Sequence, residues 1–128
     1  MQIKDNTQMF RDSETAVTAD ADSDAVQIPG GNIHTPMYAE IYYWGAAVGS
    51  STGTAVFNTK RCATLGGSYV EHVDGNKTTV ALTTTPKSGI FYIPICHEDD
   101  FTKVGLDLTG TGATIKYIAA LVSSKPGG

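Results

Sequence analysis

The sequence predicts an all-β protein: a β-sandwich or jelly roll of about eight short antiparallel strands, preceded by an extended N-terminal arm. Three observations predict it. Short runs rich in β-branched and aromatic residues recur along residues 25–128, and Gly, Pro, Asn or Asp ends most of them. Several runs alternate apolar and polar side chains with a period of two, the spacing of a strand with one buried face. No segment carries the i, i+3, i+4 apolar stripe of a surface helix.

The arm comes first. Residues 1–24 hold Asp5, Asp12, Glu14, Asp20, Asp22 and Asp24 against Lys4 and Arg11. The whole formal charge of -4 therefore sits on this segment, and residues 25–128 are neutral. Its large apolar side chains are few: Ile3, Met9, Phe10 and Val17. It reads as a polar acidic arm that orders on a surface, with residues 16–19 as a short edge strand.

The body, residues 25–128, follows as one domain. Its strands are expected at 25–28, 37–44, 54–63, 68–74, 78–84, 89–95, 103–109 and 113–123. Asp74-Gly75-Asn76 and Gly110-Thr111-Gly112 read as hairpin turns, because these residues tolerate the positive φ of tight turns. In 103–109, Val104, Leu106 and Leu108 share one face, as a half-buried strand requires. In 113–123, Ile115, Tyr117, Ala119 and Leu121 share one face. Ile118, Ala120 and Val122 make the far end of the other face apolar too, so that end is expected to be covered on both sides.

Composition narrows the function. A pI of about 5.1, with Lys60-Arg61 as the only adjacent basic pair, argues against nucleic acid. No run approaches the ~18 apolar residues of a membrane span. The opening MQIKDNTQMFRD lacks the apolar region of a secretory signal, so synthesis in a cytoplasm is expected. Two cysteines, Cys62 and Cys96, without metal-ligand spacing are expected to be free thiols.

Chemical motifs are weak. Asp20-Ala21-Asp22-Ser23-Asp24 imitates the start of a calcium loop. Ala25 and Gly31 stand where that loop needs Gly and Glu, so a solvated acidic turn is the better reading. Cys96 and His97, adjacent on a strand, point to opposite faces and cannot form a thiolate–imidazolium pair. His34 and His72 offer no metal spacing. Glu40 and Glu71 are a formal carboxylate pair for glycoside hydrolysis, but nothing in the sequence brings them together. No enzyme, cofactor or metal is expected.

The aromatic centre is Met37-Tyr38-Ala39-Glu40-Ile41-Tyr42-Tyr43-Trp44. Met37, Ala39, Ile41 and Tyr43 share one face of a strand, and Tyr38, Glu40, Tyr42 and Trp44 share the other. The face with Glu40 is expected to look outward. Its aromatics then cover the core edge, anchor an interface or stack on a sugar. With the arm, the candidate interface residues are Ile3, Met9, Phe10, Val17, Tyr38, Tyr42 and Trp44.

The pattern resembles a known family. Asp5, then Met9-Phe10-Arg11-Asp12, leads into Thr15-Ala16-Val17-Thr18-Ala19 and Ser23-Asp24-Ala25-Val26-Gln27-Ile28. Later come Pro36-Met37-Tyr38, Tyr92-Ile93-Pro94-Ile95 and Val104-Gly105-Leu106-Asp107-Leu108-Thr109-Gly110-Thr111-Gly112. The chain then runs through Ile118-Ala119-Ala120-Leu121-Val122. This resembles the jelly-roll capsid cement (decoration) proteins of short-tailed bacteriophages with HK97-type shells. Residues 45–90 match only as generic Thr/Gly-rich strands, and Gln27 departs from the family pattern.

The resemblance implies a structural virion protein on the outside of a capsid, made in the host cytoplasm. Its partners would be the major capsid protein and itself, a homodimer being favoured over a trimer, with no nucleic acid or membrane. The alternative reading is a carbohydrate-binding β-sandwich, a virion surface adhesin, using Tyr38, Tyr42 and Trp44.

Overall fold

The computed structural model describes residues 9–28, 37–71, 77–95 and 101–122. Two antiparallel sheets face each other as a β-sandwich. In chain order the strands are β1 (Met9–Arg11), β2 (Ala21–Asp22), β3 (Val26–Gln27), β4 (Met37–Ala47), β5 (Gly53–Cys62), β6 (Val70–Glu71), β7 (Lys77–Leu82), β8 (Lys87–Ile95), β9 (Phe101–Thr109) and β10 (Thr114–Val122). The first sheet runs β1-β10-β4-β8. In the second, β9 pairs with β5, β2 and β3 lie along the free side of β9, and β6 and β7 lie along the free side of β5.

Sequence alternation fixes the core. Ala39 and Ile41 of β4 point inward with Ile115, Tyr117, Ala119 and Leu121 of β10. Ala55 and Phe57 of β5 meet them with Val104 and Leu106 of β9. Phe57 joins the layers. Its ring centroid lies 5.3 Å from that of Phe91 and 5.2 Å from that of Tyr117, both edge-on, the geometry aromatic quadrupoles prefer. The far end of β10 is covered on both sides as expected, since Ala120 and Val122 are buried as well.

β4 runs past its expected end at Trp44. Gly45, at φ 62°, makes a bulge, and the register with both neighbours shifts around it. The shift turns Ala46 inward, and Val48 just past the strand joins it in the core, so the chain continues with its faces exchanged.

Both hairpin expectations are corrected. β9 and β10 belong to different sheets, so Gly110-Thr111-Gly112 is a corner between layers. A corner and a hairpin both need glycine at positive φ, here 116° at Gly110 and 67° at Gly112, which is why the sequence pattern does not separate them. Among the described residues, β6 and β7 do not pair with each other. Both run antiparallel to β5 and lie end to end along its edge, with Lys60 opposite Glu71 and Asn58 opposite Lys77. The expected Asp74-Gly75-Asn76 turn lies outside the described residues.

Three of the crossovers meet at one end of the sandwich. The Val48 N–H donates to the Thr83 carbonyl at 2.9 Å, and the Gly49 N–H donates to the Thr111 carbonyl at 2.8 Å. Backbone groups left over by the sheets are thereby satisfied among the loops themselves.

The expectation of an arm that orders only on a partner is corrected for residues 9–24. β1 pairs with β10, Met9 lying opposite Ala120, and Phe10 is fully buried in the core. Val17 bridges Ile115, in place of the short strand expected at 16–19. The chain then changes layer, and β2 and β3 pair with β9. One segment thus closes the same side of both sheets.

Its acids explain the attachment. Asp20 Oδ1 accepts the Leu108 N–H at 2.7 Å, and Ser23 Oγ accepts the Val104 N–H at 2.8 Å. Asp22 pairs with Lys60 at 2.8 Å, and this contact raises the Lys60 pKa. The run that imitates a calcium loop is therefore engaged with the edge of β9 and with β5. Arg11 secures the other end: its Nε donates to the Tyr117 carbonyl at 3.1 Å, its Nη2 donates to the Thr15 carbonyl, and its guanidinium lies 5.0 Å from the Tyr117 ring centroid.

Candidate adhesion surface

The period of a strand that buries Ala39 and Ile41 must turn Tyr38, Glu40, Tyr42 and Trp44 to the opposite face of the first sheet. Register carries that face sideways. Tyr42 lies between Ile90 of β8 and Ile118 of β10, and Glu40 lies between Tyr92 and Ala120. Tyr38 lies between Pro94 and Val122. The outer face of the first sheet is therefore largely apolar and aromatic, with one carboxylate near its centre and Lys116 opposite Trp44.

Glu40 shares this outer face, but only 8% of it is exposed. Its Oε2 accepts the Tyr92 hydroxyl at 2.7 Å. Partial desolvation, then this hydrogen bond and the carboxylate's charge, push the Tyr92 hydroxyl up to about 12. The phenol thus stays a donor across the neutral range. Around the carboxylate, Tyr42, Ile90, Ile118 and Ala120 line a groove of about 290 Å³.

At the mouth of the groove, Tyr42 is 48% and Ile90 56% exposed. The Tyr42 and Trp44 rings lie 5.4 Å apart with 23° between their planes. That separation is too short for two rings side by side in one plane, so one partly covers the other. Tyr38 meets Tyr92 edge-on at 6.5 Å. The ridge expected on this strand exists, but it is a braced wall rather than a row of open ring faces.

The other candidate interface residues scatter. Phe10 is corrected from an interface anchor to a core residue, because its strand docks on β10 and turns it inward. Met9 is half-buried opposite Ala120, and Val17 is half-buried against the core. Ile3 lies outside the described residues. The structure adds Ile90, Tyr92, Ile118 and Ala120, which the sequence reading did not select. Their only sequence signal was the double apolar character of β10 and the run Ile90-Phe91-Tyr92-Ile93.

A second exposed apolar pair, Leu65 and Val70, lies around the turn from β5 to β6. Tyr69 beside it donates to the Leu65 carbonyl at 2.8 Å and carries the Lys103 ammonium 4.5 Å from its ring centroid.

The reactive side chains do not converge. Glu40 sits on the first sheet, whereas Glu71 sits on β6 of the second and pairs with Lys77 at 3.5 Å. Cys62 is a free thiol. His34, His72, Cys96 and His97 lie outside the described residues. Among the described residues, no three or more His, Cys, Asp or Glu side chains group as metal ligands. No protein family, curated protein or solved structure matches this chain.

Proposed function

We propose that this chain is a structural virion protein, a capsid cement that binds the outside of a bacteriophage shell and bridges adjacent capsomers. The observation that carries the reading is the outer face of the first sheet. Tyr42, Trp44, Ile90 and Ile118 form a continuous aromatic and apolar surface braced by ring contacts and by strand register. Tyr and Trp on a rigid sheet bury much area at little entropic cost, which suits an interface anchor.

The finer fold reading belongs to the same proposal. With β2 and β3 taken as one lane, and β6 and β7 as another, eight lanes divide four and four between the sheets. Every connection between lanes changes sheet except the one from β5 to β6. Such a division supports a jelly roll.

The mechanism is mass action. A protein that binds only the assembled shell adds a free energy that must be lost before capsomers separate. Many symmetric copies multiply a modest contact into high avidity. Self-association as a dimer is part of the proposal, and a neutral body opposes it little.

The test is co-sedimentation with purified shells, together with the copy number of the chain in purified particles. Binding near one copy per shell-protein site, weakened about tenfold or more by Trp44→Ala or Ile90→Asp at unchanged thermal stability, is the expected result. Absence from particles and from shell pellets would overturn the reading. Binding of a glycan on an array, lost in Trp44→Ala, would favour the carbohydrate-binding adhesin instead. The offset stack of Tyr42 on Trp44 leaves less open ring face than that alternative needs.

A further inference from the structure

We propose that β8 is the edge on which two copies of this chain join, antiparallel about a two-fold axis at Ile90, so that their first sheets become one continuous sheet. This pairing rests on the cement reading, which includes a dimer, and names the surface that forms it.

Edge length singles out β8. An uncovered strand edge is a template for another strand, and proteins blunt such edges by keeping them short, interrupted or charged. Among the described residues, the other edges are blunted in this way. β1 is three residues long, and β2 and β3 are two each along β9. Along β5, the two-residue β6 and the six-residue β7 meet at the ion pair of Glu71 and Lys77. β8 runs for nine residues and carries no charge after Lys87. Among the described residues it pairs with β4 alone.

Hydrogen-bond parity tells which groups face that edge. Ile115 exchanges both of its backbone bonds with Val17, and the Tyr117 carbonyl accepts from Arg11, so the odd residues of β10 face away from β4. Backbone groups of successive residues point to alternate sides of a strand. Ile118 of β10 therefore bonds Tyr42 of β4, whereas Ile41 and Tyr43 bond Phe91 and Gly89 of β8. Ser88, Ile90 and Tyr92 are left with N–H and C=O turned outward. Pro94 has the same parity, the one place where a residue without an N–H fits a strand.

Two copies match about Ile90. Each Ile90 faces the other, and each Ser88 faces the Tyr92 of the second copy. These pairs exchange about six backbone hydrogen bonds, and Pro94 lies beyond them. The two Lys87 side chains fall at opposite ends of the pairing, roughly 20 Å apart. Ile90, 56% exposed in the single chain, gains an apolar neighbour. Tyr42 and Ile118 beside it extend one outer row across both copies. A foreign strand would have to bring an apolar residue opposite Ile90 and no opposing charge, and the chain's own β8 supplies both.

The experiment follows sedimentation of the full chain from about 1 to 500 µM, together with amide hydrogen exchange. A monomer–dimer equilibrium with a Kd below about 100 µM is expected. In the dimer, the Ser88, Ile90 and Tyr92 amides should exchange about tenfold or more slowly than in dilute solution, whereas Phe91 and Ile93, already bonded to β4, exchange slowly in both. Ile90→Lys sets two ammonium groups against each other on the axis and should weaken the dimer about tenfold or more, and Ile90→Glu should do the same. An equimolar mixture of the two variants should recover a dimer, because opposite charges then meet.

A chain that stays monomeric to about 500 µM overturns the pairing. So does a dimer that leaves the Ser88, Ile90 and Tyr92 amides unprotected, or a mixture of variants that fails to recover it. If the variants do not fold, exchange in the unaltered chain decides alone. Protection of these amides only on adding shells assigns the edge to the shell protein and overturns self-pairing. Shell binding by a monomer overturns the pairing and spares the shell-binding reading. A dimer through β8 that binds no shell supports the pairing and overturns the cement.

Discussion

At the scale of single residues, Phe10 and Tyr117 carry the clearest expectations. Phe10 lies in a stretch that is polar by composition, yet its ring is wholly enclosed. Phe10→Ala should cost about 3–5 kcal/mol in denaturant unfolding, the range for a core phenylalanine. A cost below about 1 kcal/mol would place the residue on the surface. Tyr117 has its hydroxyl pushed up to about 12, chiefly by burial, with Arg11 pulling the other way. An unfolded tyrosine titrates near 10. Between about pH 10 and 12 the unfolded chain gives up this proton while the folded chain keeps it, so stability falls as pH rises. Below about pH 10 the contribution is fully present, and it is on the order of 2–3 kcal/mol. Tyr117→Phe should flatten the alkaline limb of a stability–pH curve, and an unchanged limb would contradict this account.

At the scale of elements, the N-terminal segment and the corners matter most. Strands β1, β2 and β3 are two or three residues long and would not persist alone. They hold because Phe10 enters the core and because Asp20 and Ser23 accept N–H groups from β9. Removing residues 1–24 should therefore destabilise the body by more than Phe10→Ala alone, as read by thermal unfolding. Asp20→Ala should cost about 1 kcal/mol through the acceptor lost to Leu108. At the corner between β9 and β10, a Cβ on Gly110 would stand 2.7 Å from Val48 Cγ1, at a φ of 116°. Gly110→Ala should cost about 1–3 kcal/mol by strain and crowding together. A neutral outcome would mean that the corner relaxes.

At the scale of the whole molecule, the order of the strands sets folding and legibility together. The sheets join distant parts of the chain: Met9 lies opposite Ala120, Met37 opposite Ile95, and Thr54 opposite Thr109. Such topology folds slowly. Refolding followed by tryptophan fluorescence is expected in the range of about milliseconds to seconds, and a microsecond phase completing the fold would contradict it. The same distances explain which features could be read in advance. Alternation along one strand is local, so the inward faces of β4, β9 and β10 were readable from Ala39, Val104 and Tyr117. Register between strands is not local, so Ile90 and Ile118 flanking Tyr42 could not be inferred. Glycine at Gly110 announced a turn but not its direction, and the acids of residues 20–24 announced charge but not its use.

By itself, the sequence determined an all-β chain, most of its strand positions and the division of β4 into an inward and an outward face. Those follow from the two-residue period of a strand and from the residues that break it. Tertiary structure decided that Phe10 is core, that residues 9–24 close both sheets, and that Glu40 sits nearly dry at the bottom of a groove. These depend on which strands lie side by side. Most neighbouring strands come from distant parts of the chain, and their pairing is selected by burial and backbone hydrogen bonding across the whole sandwich.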